Sequence, residues 1–137
     1  MSLQLRIVTP TGEALKTETT HVTLPGLNGE FTVLSGHLPF LTALRIGVAS
    51  YATGKHTQNL CSLGKGFVEV FANQVTIFVQ TAEKAHDIDK KRAQDALSRT
   101  EKALSNSSHN PNDPSYQLLL EDRARAKSRL LAAEKAL

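Results

Sequence analysis

The chain has 137 residues, of which 40% are hydrophobic, with one cysteine, no tryptophan and a formal net charge of +3. This length suggests one domain, or a small domain with an appendage, and the apolar share is sufficient for a core. The lone Cys61 excludes an internal disulfide, and the modest charge argues against a nonspecific nucleic-acid binder. No apolar run approaches the ~20 residues of a membrane helix, and residues 1–10 resemble a strand rather than a signal peptide. We therefore expect a cytosolic soluble protein.

Period-two alternation predicts β-strands throughout the first part of the chain, from Leu3 to Gln80. Turn signals separate these runs, among them residues 53–56, residues 72–74 and Asn28-Gly29, which is expected to supply the left-handed backbone angles of a hairpin. Many short strands joined by turns predict an antiparallel sandwich or barrel, and of these we expect a sandwich of two sheets. The predicted strands cover residues 3–7, 22–24, 31–33, 46–51, 67–71 and 75–80.

Charge is concentrated in the second part of the chain. Residues 1–82 carry five Lys/Arg and four Asp/Glu, whereas residues 83–137 carry eleven and nine. This shift predicts a boundary near 81–89, and hence two parts, residues 1–85 and 86–137.

Two helices are predicted in the charged part. Asp89 can cap a helix from Lys90 to about Leu104, and Asp113 can cap a second helix with Pro114 at its first position. The polar residues 105–112 separate them. The fold class is therefore α+β, an antiparallel β-sandwich followed by an antiparallel two-helix hairpin. The apolar stripe of the first helix is Ala93, Ala96, Leu97, Thr100, Ala103 and Leu104, and that of the second is Tyr116, Leu119, Leu120, Ala126, Leu130, Ala133 and Leu137. Because alanine buries little area, we expect a marginally held hairpin that can open.

No catalytic or metal-binding constellation is predicted. His37 precedes Leu38-Pro39 in a turn and is expected to satisfy local backbone. Cys61 has His56 nearby but no partner at metal-ligand spacing. Gly64–Phe67 is expected to form a bend between strands.

Four arginines in the predicted helices form a candidate anion site. Arg92 and Arg99 are seven residues apart, and Arg125 and Arg129 are four apart, so each pair lies on one helical face. A folded hairpin could gather them around a phosphate. The spacing alone favours the alternative, a solvated face with Asp95–Arg99 and Glu121–Arg125 as i,i+4 pairs.

The motif over residues 24–41, L-P-G-x-x-G-E-F-x-V-L-x-G-H-x-P-x-L, resembles the N-terminal domain of the epsilon subunit of F-type ATP synthases. The chain departs from the usual family pattern at Thr32 and Ser35, and Lys65 replaces a glycine in a G-G-F turn. The order of a strand domain and a helical hairpin is also that of the family, so the resemblance covers nearly the whole chain.

The resemblance implies a regulatory ATP on the folded hairpin, with no obligatory cofactor. Residues 88–93 have the form I-D-x-x-R-A, which epsilon subunits that bind ATP carry. The linker Ser105–Asn112 is longer than usual in the family, which affects the register of the two helices. The positions that match the family's nucleotide site are Glu83, Ile88, Asp89, Arg92, Ala93, Arg99, Arg125 and Arg129.

The resemblance also implies a non-catalytic rotor subunit on the cytoplasmic face of the bacterial plasma membrane, without direct membrane insertion. The sandwich is expected to dock on the gamma subunit and the c ring through Gly36, His37, Leu38 and Pro39. The second helix is expected to inhibit ATP hydrolysis by contacting the beta subunit, within the alpha–beta head, through Arg123, Arg125, Lys127 and Arg129. Two other classes stay open, a nucleic-acid binder and a free-standing sandwich adaptor, but two tyrosines and no tryptophan leave little for base stacking.

Overall fold

The computed structural model describes residues 2–54 and 57–136. Four residues lie outside this description: Met1 before the first predicted strand, Lys55 and His56 in a predicted turn, and Leu137 of the second apolar stripe. The strands are β1 Leu3–Thr9, β2 Gly12–Thr19, β3 His21–Gly26, β4 Gly29–Leu34, β5 Phe40–Leu44, β6 Gly47–Thr53, β7 Thr57–Leu63, β8 Gly66–Phe71, β9 Gln74–Val79 and β10 Ala82–Lys84. A 3₁₀ turn, Ala85–Asp87, precedes the helices α1 Lys90–Ser105 and α2 Pro114–Lys135.

The strands pair into one sheet that folds over to supply both layers of the sandwich. The order is β10-β7-β6-β3-β5-β8-β9-β1-β2, with β4 paired to β3. The two layers meet where β3 and β5 share a single pair, Gly26 with Leu44. The predicted sandwich is confirmed, although its layers are hydrogen-bonded to each other there. β1 and β9 pair in parallel, which departs from the predicted antiparallel pattern. A parallel pair needs a long connection, and here the seven intervening strands provide it.

The predicted alternation decides which side chains enter the core. Leu3, Leu5 and Ile7 of β1 are fully buried, and Val75 and Ile77 of β9 pack in the same core. In β8 the two valines, Val68 and Val70, occupy one face, and Phe67, Glu69 and Phe71 occupy the other. The structure buries Val68 and Val70 and leaves Phe67 and Phe71 on the outside.

The turns follow the predicted positions, with one difference in conformation. Ala72 and Asn73 have φ of 51° and 61°, and they form the predicted hairpin between β8 and β9. At the β3–β4 turn Gly29 has φ of 135°, but Asn28 is absent from the described residues with positive φ. Asn28 therefore does not supply the left-handed angle predicted for it, because the turn places that angle at the following glycine. The predicted bend at Gly64–Phe67 lies at Lys65, and Gly66 after it is required because a Cβ there would collide with the Phe78 carbonyl.

Both helices begin at the predicted caps. The Asp89 carboxylate accepts from the Arg92 amide at 3.1 Å, and that of Asp113 accepts from the Ser115 amide at 2.9 Å. In α2 the buried residues are Ala126, Ser128 and Ala132, of which the predicted stripe includes just the first. The stripe differs because α2 buries two faces, one against α1 and one against the sheet. Neither helix of the described chain is long and apolar enough to span a membrane.

The helical hairpin is folded against the outer face of the layer that contains β6 and β7. A second, smaller core joins Ala93 of α1 and Ala132 of α2 to Val48 of β6 and Leu60 of β7. Because two of these four side chains are alanines, the contact buries less apolar area than the sandwich core. The structure therefore contains a large core within the sandwich and a small one beneath the hairpin.

Candidate functional site

The junction between β10 and α2 contains a two-point ion pair. Arg129 Nε donates to Glu83 Oε1 at 2.8 Å, and Nη2 donates to Oε2 at 3.3 Å. The side chains are 25% and 35% exposed, so the pair is partly shielded from water. An arginine fork on a carboxylate fixes orientation as well as distance. The pair therefore fixes the side of α2 that faces β10.

Two more polar contacts join α2 to the sandwich. Ser128 and Ser62 of β7 share a buried hydroxyl–hydroxyl hydrogen bond of 2.8 Å. Lys65 Nζ donates to Glu121 Oε1 at 2.6 Å, so the lysine that replaces the family's usual glycine contacts the helix. We call the three contacts between α2 and the sandwich the latch: Arg129–Glu83, Ser128–Ser62 and Glu121–Lys65.

The two i,i+4 pairs considered for the arginines do not form. Arg125 instead binds Asp122 at 3.0 Å, one residue closer along the helix, since Glu121 points to Lys65. Within residues 2–54 and 57–136, Arg99 makes no ion pair with Asp95. The alternative of a face held by these i,i+4 pairs is therefore wrong in detail.

The remaining members of the predicted nucleotide set lie just before α1, in its first turn and, for Arg99, in its middle. Ile88 and Ala93 are buried beneath the hairpin, and Asp89 is occupied as the helix cap. The side chains of Arg92 and Arg99 are exposed, and neither forms an ion pair in the part of the chain that the structure describes. Two of the four arginines are thus paired with carboxylates and two are open to solvent. Nucleotide binding by this set stays a prediction.

The packing of the hairpin places the arginines at similar heights along it. Ala93 and Ala132 share the small core, and the helices are antiparallel. If Ala93 is taken as level with Ala132, a rise of about 1.5 Å per residue in both helices puts Arg99 about level with residue 126, between Arg125 and Arg129. The linker turns at His109, with φ of 55°, and Ser107 Oγ donates to the Leu104 carbonyl at 2.8 Å. The longer linker therefore closes on itself and still allows this register.

The four basic residues predicted to contact the beta subunit occupy consecutive turns of α2. Lys127 is exposed, whereas Arg123 and Arg125 are half-buried. Arg129 is held by Glu83. In the folded hairpin this set is therefore partly engaged with the chain itself.

The predicted docking loop, Gly36–Pro39, is positioned by the neighbouring β8–β9 turn. The Asn73 side-chain carbonyl accepts from the Gly36 amide at 2.7 Å. His37 Nδ1 donates to the Leu38 carbonyl at 2.7 Å, and the His37 amide donates to the Leu34 carbonyl at 3.1 Å. The expected local role of His37 is thereby confirmed. Asn73 is a positioning residue that the sequence indicated only as part of a turn.

An exposed apolar surface surrounds this loop, and sequence reasoning found little of it. Leu38 is 78% exposed and Leu41 is 66% exposed. Leu41 lies opposite Glu69, and Ala43 opposite Phe67, so the outward face of β5 continues onto β8. Phe67 stacks on Phe78 at 5.0 Å between ring centroids, beside a groove of about 620 Å³. The available signal was Glu69, whose charge marks the face of β8 that it shares with Phe67 and Phe71 as the outer one. We call this set the apolar face: Leu34, Leu38, Leu41, Phe67, Phe71 and Phe78.

Cys61 is buried in the sandwich core at 2% exposure. Burial raises the pKa of its thiol to about 11, more than the nearby Lys84 lowers it. The thiol is therefore protonated near neutral pH and has no nucleophilic role.

Solved structures share this arrangement of sandwich and helices. The chain superposes on a chain of the Euglena gracilis mitochondrial ATP synthase, solved with OSCP, F1 and the c-ring, with a TM-score of 0.80 and 20% identity, over 97% of this chain and 81% of that one. It superposes on a chain of the Tetrahymena thermophila mitochondrial ATP synthase central stalk and c-ring with a TM-score of 0.56 and 17% identity, over 99% and 96%. At these identities the likeness shows a common fold.

Sequence relatives establish the family. Residues 2–85 match the model of the ATP synthase Delta/Epsilon chain β-sandwich domain. The chain is 41% identical over 134 residues to the ATP synthase epsilon chains of Geotalea uraniireducens and Geobacter sulfurreducens, covering 98% of this chain and 95% of each relative. It is 45% identical over 103 residues to that of Nitratidesulfovibrio vulgaris, covering 75% and 76%. The chain therefore belongs to the ATP synthase epsilon chain family, whose members are non-catalytic subunits of the ATP synthase.

Proposed function

We propose that this chain is a central-stalk subunit that couples proton translocation to ATP synthesis and restrains ATP hydrolysis. The observation that carries the proposal is the opposite placement of two surfaces on one sandwich. Apart from Leu34 at the end of β4 and Leu38 in the loop, the apolar face belongs to the layer of β5, β8 and β9, whereas the hairpin covers the layer of β6 and β7. One layer can therefore stay docked while the helices on the other fold or open.

The apolar face is proposed to dock on the gamma subunit and the c ring. Large exposed apolar patches on a folded domain mark contact surfaces. Leu38 and Leu41 project from a loop and a strand that Asn73 and the β5–β8 pairing hold in place. A rigid apolar patch binds with little ordering cost, which suits a permanent contact. The complex is proposed to lie at the cytoplasmic face of the bacterial plasma membrane, with this chain peripheral.

Co-purification tests this docking. The double substitution Leu38→Asp/Leu41→Asp should abolish recovery of the gamma and c subunits with this chain, because two charges enter an apolar contact. Leu118→Asp is the matched control, since Leu118 is 60% exposed on α2, away from the apolar face. Recovery of both partners with the double variant, folded by circular dichroism, would refute docking through this surface.

The hairpin is proposed to be the inhibitory element. α2 has 22 residues, which span about 33 Å at 1.5 Å per residue. Once released from the sandwich, such a helix reaches well beyond the domain and presents Arg123, Arg125, Lys127 and Arg129 to an acidic segment of the beta subunit. The latch and the alanine-rich small core hold α2 against the sandwich with modest strength, so its release costs little free energy.

ATP is proposed to favour the folded hairpin. Arg92 and Arg99 are exposed cations near the height of Arg125 and Arg129, and Glu83 already orients the last of these. A ligand that binds the folded form alone at one hundred times its dissociation constant adds about 2.7 kcal/mol, enough to shift a marginal equilibrium. Binding of ATP would therefore oppose inhibition.

A further inference from the structure

A cleft of about 460 Å³ separates α2 from strands β3 and β6. Beside Ser128, its helical wall carries Ala124, Lys127, Leu131 and Lys135. These positions are spaced by three, four and four residues, so they follow one stripe of α2. This stripe is separate from the one that carries Arg129, because Lys127 lies two residues, or about 200°, around the helix. The cleft and the predicted nucleotide site are therefore on opposite flanks of α2.

The rim of the cleft carries an excess of positive charge. Arg45, Lys127 and Lys135 line it, against one carboxylate, Glu30. Across residues 2–54 and 57–136, none of these four side chains takes part in an ion pair. Three cations around one recess repel each other and attract an anion of two or more charges.

The floor of the cleft is apolar. Pro25, Ile46, Val48 and Leu60 of the sandwich line it, and Leu131 of α2, 44% exposed, lies opposite. Two of the three hydroxyl groups in its lining are already engaged, as Thr23 binds Thr32 and Ser128 binds Ser62, each at 2.8 Å, and Ser50 supplies the third. A ligand that fills the recess therefore meets charge at the rim and hydrocarbon below.

We propose that this cleft binds a small organic phosphate with an apolar body. An arginine fork and two lysine ammonium groups suit a phosphate dianion, which can pair with both kinds of cation. The volume is within the range of sites for small molecules, about 300–1,000 Å³. One wall belongs to α2 and the other to the sandwich, so the ligand binds the folded hairpin and stabilises it.

The test is calorimetric titration of the full chain with 1-naphthyl phosphate and with inorganic phosphate, at constant ionic strength. Naphthyl phosphate should bind at least about tenfold more tightly than inorganic phosphate, because only its naphthyl group can contact the apolar floor. Arg45→Gln/Lys135→Gln should weaken its binding by about tenfold or more. Lys16→Gln/Lys102→Gln removes the same charge from β2 and α1 and should leave binding unchanged. Hydrogen exchange at residues 124–135 should slow when naphthyl phosphate is present.

Three results would overturn the proposal. The first is no saturable binding of naphthyl phosphate, or equal affinity for the two probes, which would leave the floor without a role. The second is equal weakening by the cleft pair and the control pair, which would indicate general attraction to a basic protein. The third is loss of binding in Arg92→Ala/Arg99→Ala with the cleft pair unaffected, which would assign the phosphate to the other flank. Circular dichroism confirms that each variant is folded.

Discussion

Glu83 and Arg129, 46 residues apart in the chain, meet in a two-point ion pair of 2.8 and 3.3 Å between the last strand and the second helix. The pair joins the part of the chain that forms the sandwich to the helix that we propose to be inhibitory. Both side chains are partly exposed, so the pair contributes modestly and can be broken. Its partners have different roles in the proposed function, and their removal has opposite consequences.

Glu83→Gln should loosen α2 and increase inhibition. Loss of one partner of a partly exposed pair costs about 1 kcal/mol, or about fivefold in the population of the open hairpin. Without nucleotide, the amide hydrogens of residues 114–135 should exchange about fivefold faster than in the unsubstituted chain. ATP hydrolysis by the assembled complex should fall. Glu101→Gln, on the exposed face of α1, is the control. Unchanged exchange would show that the pair does not hold the helix.

The buried hydroxyls of Ser62 and Ser128 should show strong coupling. Ser128→Ala leaves the Ser62 hydroxyl buried without a partner and should cost about 1–3 kcal/mol, while Ser62→Ala/Ser128→Ala should cost less than either single change. Denaturant unfolding of the four proteins gives the coupling energy as a double-mutant cycle. Additive effects would mean that the hydrogen bond does not stabilise the interface.

Replacement of the four basic residues of α2 should relieve inhibition. The quadruple alanine variant should raise ATP hydrolysis by the assembled complex, although it also removes the Arg129 half of the latch. Each single change should have a small effect, since exposed charge pairs are individually weak. The replaced residues are Arg123, Arg125, Lys127 and Arg129.

The matched control for this variant removes four cations elsewhere and should leave hydrolysis unchanged. If the variant that lacks the four basic residues of α2 keeps its helicity and its rate of ATP hydrolysis is unaltered, an electrostatic contact with the beta subunit is excluded. The control residues, each replaced with alanine, are Lys16, Lys90, Lys91 and Lys102.

Binding of ATP should depend on the exposed arginines of α1. Calorimetric titration of the isolated chain should give heat that Arg92→Ala reduces, because phosphate charge is left uncompensated, and that Lys16→Ala does not. Residues 90–130 should exchange more slowly with ATP present. An absence of both heat and protection would show that the I-D-x-x-R-A motif is silent in this chain.

The free energy of unfolding should fall at alkaline pH because of Cys61. Its pKa is about 11 in the folded chain, raised mainly by burial from an ordinary value of 9.0. Between these values the unfolded chain loses the thiol proton and the folded chain keeps it, so stability is unaffected below pH 9 and decreases up to pH 11. The loss is about 3 kcal/mol, at 1.36 kcal/mol per unit.

Chemical denaturation at a series of pH values, compared with Cys61→Ala, isolates this contribution. Burial, and to a smaller extent the charge of Cys61, also raise the pKa of Tyr51. The part due to burial is common to both proteins and cancels, whereas the part due to Cys61 belongs to the difference that is measured. Parallel pH profiles of the two proteins would contradict the assignment to Cys61.

Local features of the chain were predictable from the sequence. The caps at Asp89 and Asp113, the buried alternation of β1 and β9, and the turn at Asn73 each depend on residues within a few positions. The local role of His37 follows for the same reason, since its hydrogen bond reaches the next residue. The motif of residues 24–41 identified the family because it combines several such local requirements in a fixed order.

Contacts between distant elements were decided by the tertiary structure. Ser62 and Ser128 are 66 residues apart, and nothing in either local sequence indicates that their hydroxyls meet. The choice of Lys65 over Arg125 as the partner of Glu121, and the outward placement of Phe67 and Phe71, depend likewise on which layer packs where. Backbone geometry and hydrophobic period act over a few residues, so the sequence determined the elements and their caps. The parallel pairing of β1 with β9, the latch and the two opposite surfaces arise when separate elements compete for the same buried area, and packing of the whole chain decides that competition.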